Sequence, residues 1–203
     1  MKLFLATTNA GKACELQRLL AISGLEVEAH TSCFLGGMPE VEEDQRTFEG
    51  NALKKARALA ALLPEDGLAL ADDSGLAVDA LDGAPGVRSA RYAGPNASDA
   101  DNVAKLLDAL DDTPPARRGA AFVCCLAAVA PHAEEKLFRG SCRGAIALEP
   151  AGEGGFGYDP VFVPEGEKRS FAQMSPEEKG RFSHRGAAMG ELIRWLAQQT
   201  TAP

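Results

Sequence analysis

Two aspartates stand side by side in Leu70-Ala71-Asp72-Asp73-Ser74-Gly75, at the end of an apolar run. Adjacent carboxylates in such a setting are costly unless solvated, paired with cations or bound to a metal. One reading is a Mg2+ site, because Mg2+ takes hard oxygen ligands and keeps several waters. A carboxylate beside it could then orient or deprotonate one of those waters as general base. The plain alternative is a surface hairpin turn, where Asp, Ser and Gly are common. Aspartyl-phosphate chemistry needs two aspartates two positions apart, which this pair does not provide. A second acidic group comprises Glu40, Glu42, Glu43 and Asp44. Charge runs are usually solvated loops; in the functional reading Glu42 or Glu43 shares a metal with Asp72 or Asp73.

The stretch Ala6-Thr7-Thr8-Asn9-Ala10-Gly11-Lys12-Ala13 follows the apolar start of the chain. Set against the phosphate-binding pattern G-x-x-x-x-G-K-[ST], Gly11 and Lys12 fit. Ala6 and Ala13 replace the first glycine and the metal-binding hydroxyl, so a P-loop NTPase is rejected. The context still suits an anion. A strand leads through a polar turn to a helix whose first N–H groups are free. Thr7, Thr8 and Asn9 can donate hydrogen bonds, and Lys12 adds a full charge. A simple strand–helix junction capped by Asn9 accounts for the same residues.

A third stretch, Gly152 to Pro160, holds Gly154, Gly155 and Gly157, more glycines than a simple turn needs. Clustered glycines let backbone approach a ligand. Phe156 and Tyr158 offer flat faces for a base, and Asp159 can bind a ligand or brace the loop. A fourth, Glu177 to Gly186, places Lys179, His184 and Arg185 near two helix starts. They would suit a ligand edge rich in oxygen. Otherwise His184 faces solvent at a helix start and Arg185 is a surface charge.

Positioning these groups requires regular elements. Residues 2–6 read as a buried strand, followed by a helix from about Lys12 with Leu16, Leu19 and Leu20 inward and Gly24 as its stop. Residues 25–30 read as a strand and 34–46 as an acidic loop. Thr47 caps a helix through Leu63. Strand, acidic turn and strand are expected from Gly67 onward, ending at an Asp82-Gly83 turn. Ser98 and Asp101 open another helix. Residues 120–130 and 136–148 read as antiparallel partners. Ser175, Pro176 and Glu178 start a helix, and Met189, Leu192, Ile193 and Leu196 face inward on the last one. The final residues, Thr200 to Pro203, are expected to fray. This mixture without strict alternation predicts an α/β protein with a long mixed β-sheet and flanking helices, residues 1–203 forming a single domain.

The 203 residues suffice for one full core. A net charge of −8 argues against broad nucleic-acid binding. It leaves room for a small anionic ligand where cations gather. No apolar stretch of the sequence is long enough for a membrane span or a secretory signal. Cys14, Cys33, Cys124, Cys125 and Cys142 are odd in number and show no C-x-x-C spacing, so reduced thiols and a cytoplasmic location are expected.

Taken in order, Thr7–Lys12, Thr47–Arg57, Leu70–Gly94, Gly154–Phe162 and Glu177–Ala188 closely resemble the motifs of the inosine/xanthosine triphosphate pyrophosphatase family. The likeness runs from the first strand to the last helix. It implies two lobes around a central cleft, a homodimer, and Mg2+-dependent hydrolysis of ITP, dITP and XTP to the monophosphate and pyrophosphate. It further implies that Thr7, Thr8, Asn9, Ala10, Gly11 and Lys12 hold the triphosphate. Asp73 would be the general base, and Ser74 would touch substrate. Asp72 or Asp73, with Glu42 or Glu43, would hold metal. Phe156, Gly157, Tyr158 and Asp159 would line the base pocket, completed by Lys179, His184 and Arg185. Two departures stand out: Gly50 where many relatives carry glutamate, and Tyr158 where some carry tryptophan. A related enzyme for other modified nucleotides, and a nucleotide-binding regulator without catalysis, are the alternatives.

Overall fold

In the computed structural model, residues 2–24, 28–31, 37, 39–131 and 135–200 are described. Six strands form one sheet in the order β2-β1-β3-β4-β5-β6: β1 (Lys2–Ala6), β2 (Glu28–Thr31), β3 (Gly67–Val78), β4 (Gly119–Val129), β5 (Lys136–Ile146) and β6 (Phe162–Pro164). β1 runs parallel to β2 and β3, and β5 antiparallel to β6, so the sheet is mixed. β4 and β5 are neighbours joined through residues 130–135, too few for a parallel crossover, and are therefore antiparallel. The helices are α1 (Ala10–Ala21), α2 (Phe48–Ala60), α3 (Asp99–Ala109), α4 (Pro176–Phe182) and α5 (His184–Thr200).

The chain divides into two compact units. The first comprises residues 1–73, 124–140 and 185–203, the second 74–123 and 141–184; β3, β4 and β5 contribute residues to both. In the first unit the strands are covered on both faces, which explains their near-continuous apolar sequence. Even and odd positions part cleanly. Leu68, Leu70, Cys124, Leu126 and Ala128 pack with Leu16, Leu19 and Leu20 of α1 and Ala188, Met189, Leu192 and Leu196 of α5. Ala69, Ala71, Cys125, Ala127 and Val129 pack against Ala52, Ala56, Leu59 and Ala60 of α2. The small side chains on this second face let α2 approach the strands closely. The second unit has its own core, in which Leu76, Val78, Val103, Leu106, Phe122, Phe162 and Phe171 meet.

Helix ends follow the sequence signals. Asn9 accepts from the Lys12 N–H at 2.9 Å, and Thr47 from the Gly50 N–H at 3.1 Å. Gly50 occupies the third helical position, so α2 has only half of a capping box. Ser98 with Asp101, and Ser175 with Glu178, complete full boxes. The buried Arg118 donates to the carbonyls of Leu110, Thr113 and Ala147, satisfying the C-terminal end of α3 and its following turn.

One expectation is overturned. Asp72 to Gly75 do not form a hairpin turn; they lie within β3, one continuous strand of 12 residues. The two carboxylates are tolerated there because both are paired, as described below. The second strand begins at Glu28, and the first residues expected in it (25–27) lie outside the described ones, as do part of the acidic loop (34–36 and 38) and the last three residues.

Candidate active site

Strand alternation sends Asp72 and Asp73 to opposite faces of β3. Asp72 joins the α1 and α5 side. Its Oδ1 lies 2.5 Å from Lys12 Nζ. Its Oδ2 accepts from Arg185 Nε at 2.8 Å and from the Cys124 thiol at 3.2 Å. Arg185 also donates through Nη1 to Glu15 of α1. Arg185 and Asp72 side chains are 1% and 0% exposed, so this is a fully buried ion-pair cluster. Burial pushes the Asp72 carboxyl upward, but the charges of Arg185 and Lys12 overcome it and hold the group well below the usual carboxylate range. The Cys124 thiol is raised far above its ordinary value, chiefly by burial and then by the Asp72 charge, and stays protonated.

Asp73 joins the α2 side. Its Oδ1 meets Lys55 Nζ at 3.0 Å, and its Oδ2 accepts from Asn51 Nδ2 at 3.2 Å. Asn51 and Lys55 are four apart on α2 and so share one helix face. Lys55 Nζ also reaches Glu43 Oε1 at 3.0 Å, and the Asn51 side-chain oxygen accepts the Gln45 N–H at 3.0 Å, tying down the segment before α2. The charges balance unequally. At Asp73, burial outweighs the pull of Lys55 and Lys12, and Glu43 adds to it, so this carboxyl is raised. At Lys55, burial is the largest influence and lowers the group, but two carboxylates together outweigh it and the ammonium is stabilised.

The expected site residues of this unit are thereby sorted. Lys12 is 16% exposed at the mouth of the Asp72 cluster. Thr7 Oγ1 accepts the Asn9 N–H at 3.1 Å, and Asn9 caps α1, leaving Thr8 and Ala10 exposed. The four carboxylates named for a metal do not assemble. Asp72 faces the opposite side of the strand from Asp73, with its oxygens against Lys12, Arg185 and Cys124. Of the two glutamates, Glu43 is brought to Asp73 through Lys55, and Glu42 is exposed. Among the described residues no three His, Cys, Asp or Glu side chains converge as a metal centre. The Asp73–Glu43 pair, converging on one ammonium, has the hard-oxygen chemistry that suits a divalent cation completed by water and phosphate.

Arg185 is not a surface charge, because Asp72 and Glu15 hold it inside the first unit.

In the second unit, Lys179 Nζ donates to Asp159 Oδ2 at 2.6 Å and lies 4.7 Å from the centre of the Phe156 ring. Asp159 also accepts the Phe156 N–H at 2.9 Å. These three residues form one group, in which Lys179 and Asp159 are buried and Phe156 is half-buried. Gly155 is required here: it has φ +75, and a Cβ would come within 2.0 Å of Asp159 Oδ2. Tyr158, in contrast, is buried in the core, with its hydroxyl donating to the Ser89 carbonyl at 2.8 Å. It offers no face for stacking. The path of the turn sends Tyr158 inward and leaves Phe156 half-buried. His184 is likewise buried rather than solvent-facing, its ring stacked on Phe122 at 4.7 Å. Ser74 is half-buried on β3.

Asn51, Lys55 and Glu15 were not singled out from the sequence. A signal existed for the first two: they extend the inward stripe of Ala52, Ala56 and Leu59, where a helix packed on a sheet has no reason to carry polar side chains unless they meet partners. Glu15 beside the inward Leu16 and Leu19 carries a similar, weaker signal.

A six-stranded mixed sheet with flanking helices and a buried carboxylate–lysine cluster defines an α/β protein. The chain belongs to the Ham1 family, whose model matches residues 3–195. It is 49% identical over 199 residues to a dITP/XTP pyrophosphatase of Opitutus terrae, covering 96% of this chain and 98% of that one. Its fold is similar to a HAM1 protein from Coxiella burnetii, with TM-score 0.87, 40% identity, and 98% and 99% of the two chains covered. A nucleoside-triphosphatase (dITP/XTP pyrophosphatase) from Mycobacterium abscessus gives TM-score 0.75 at 47% identity, covering 95% and 98%.

Proposed function

We propose that this chain hydrolyses the non-standard purine nucleoside triphosphates ITP, dITP and XTP to the monophosphate and pyrophosphate, by attack of water on the α-phosphorus. The observation that carries the reading is Asp73, a buried carboxylate raised by its surroundings and held by Lys55 and Asn51. A carboxylate of raised pKa is a stronger proton acceptor than an ordinary one. Full-length likeness to proteins named for this activity supports the substrate class.

Lys12 and the free N–H groups at the start of α1 bind the triphosphate and offset charge on the leaving pyrophosphate. Thr7 to Gly11 supply the remaining donors of that turn. Asp72 keeps Lys12 directed. Glu43 would hold a divalent cation, Mg2+ in this proposal, with Asp73 kept beside it as the base; when bound the cation would neutralise phosphate charge and lower the pKa of its water. No covalent intermediate with the protein is needed.

Base choice falls to Lys179, Phe156 and Asp159. Hypoxanthine and xanthine carry a carbonyl at position 6, which the Lys179 ammonium can serve. Adenine carries an amino group there and would set donor against donor, a mismatch far costlier than a poor apolar fit. By family resemblance the protein works as a homodimer in the cytoplasm, cleansing the nucleotide pool.

The test is product analysis with ITP, dITP, XTP, GTP and ATP, with Mg2+ and with chelator. The expected result is metal-dependent pyrophosphate release favouring ITP, dITP and XTP. Free phosphate as the primary product would move the attack to the γ-phosphorus. No product from any of the five would leave a nucleotide-binding protein without this activity.

A further inference from the structure

Four consecutive residues of the loop bearing Phe156 are each held by a polar contact. The Phe156 N–H is taken by Asp159 Oδ2, the Tyr158 hydroxyl by the Ser89 carbonyl, and Asp159 by Lys179. The remaining member, Gly157, donates its N–H to Asp99 Oδ2 at 2.7 Å, across 58 residues of sequence. Asp99 is the first residue of α3, and yet it takes no part in capping that helix. Ser98 and Asp101 form the capping box by themselves. The Asp99 carboxylate is therefore available to the loop, and removing it leaves the Ser98–Asp101 capping box in place.

Gly157 sits at φ +62 with no heavy atom within 4 Å of where a Cβ would be. Apart from its backbone and this one hydrogen bond, little restrains it. Its neighbour Tyr158 is anchored in the core, and its other neighbour Phe156 is the ring under Lys179. A contact at Gly157 thus sets how far the Phe156 ring stands from the anchored tyrosine. An ionised acceptor on a backbone N–H makes a short, directional bond, which suits that purpose.

We propose that Asp99 is a positioning residue for purine recognition: by holding the Gly157 N–H it fixes the loop that presents Phe156 and Lys179 to the base. This rests on the function proposed above. In this reading Asp99 acts through the loop and not on the reacting atoms, so its effect belongs in binding rather than in the chemical step.

The experiment compares wild type, D99A, D99N and D101A by steady-state pyrophosphate release from XTP, with amide hydrogen exchange at Gly157 and thermal unfolding. For D99A, KM is expected to rise roughly three- to tenfold, the effect of one lost hydrogen bond, with kcat little changed and faster exchange at Gly157. D99N keeps an acceptor oxygen and recovers most of the loss. D101A breaks the capping box, so Tm falls while KM stays at the wild-type value. An unchanged KM or unchanged Gly157 exchange in D99A would overturn the proposal. So would equal rises in KM for D99A and D101A, which would mean that Asp99 matters only through helix stability. Wild type that releases no pyrophosphate sinks the proposed function; the exchange comparison still decides whether Asp99 holds the loop.

Discussion

Asp72 and Asp73 are neighbours in the chain and opposites in environment. Asp72 lies against Arg185, Lys12 and Cys124 on one face of β3, and Asp73 against Lys55 and Asn51 on the other. Burial raises both carboxyls. At Asp72 two cations at close range reverse the shift, whereas at Asp73 burial prevails. Pushing apart the pKa values of two adjacent acids separates a permanent anion from a group able to accept a proton.

Asp73→Asn should lower turnover by roughly a hundredfold or more, the usual contribution of a general base. It should not lower stability at neutral pH. A carboxyl whose folded pKa is raised above the ordinary 3.8 contributes stability below that value and loses it as pH rises through the folded pKa. The ionised form at pH 7 is thus the less favoured one in the fold, and neutral Asn relieves it. Turnover and urea unfolding measured together check this; wild-type turnover in Asp73→Asn would remove it as the base.

Lys55→Met removes the cation shared by Asp73 and Glu43. With that pull gone, the Asp73 carboxyl should rise further, and the acid limb of the kcat/KM profile should move to higher pH. The wild-type limb should itself lie above 3.8, the ordinary aspartate value. A pH profile identical in the two proteins would show that the limb does not belong to Asp73.

Arg185→Ala should destabilise the fold by about 3–5 kcal/mol, because it strands Asp72 and Glu15 as buried charges. Adding Asp72→Asn to that variant should recover part of the loss, although Lys12 then loses its partner. Urea unfolding of the two variants measures the difference. A loss below about 1 kcal/mol in Arg185→Ala would mean that water reaches the cluster and that the ion pair is not buried in solution.

Asp72 also stabilises the fold with the opposite pH dependence. Its folded pKa is depressed, so its contribution is present above the unfolded value near 3.8 and is lost as pH falls through the folded pKa.

The elements were legible in the sequence where local rules govern them. The Asn9, Thr47, Ser98 and Ser175 caps all fall where their sequence signals put them. The inward faces of α1 and α5 follow their leucine spacing. What local sequence rules do not show is the burial of polar groups. Asp72-Asp73-Ser74-Gly75 reads as a turn because turn propensity is local, while the partners that keep it a strand come from α1, α2 and α5. Arg185 and His184 read as residues of a ligand edge or, failing that, of the surface, because charged and aromatic polar residues near a helix start are usually accessible. Their burial depends on Asp72 and Phe122, distant in sequence. Tyr158 and Phe156 look equivalent as flat rings, yet only the path of the loop decides which one enters the core.

The most direct test of the account is hydrolysis of XTP in water enriched in 18O, followed by mass spectrometry of both products. Attack on the α-phosphorus predicts one 18O in the xanthosine monophosphate and none in the pyrophosphate. Label in the pyrophosphate instead would place the attack on the β-phosphorus and contradict the proposed reaction.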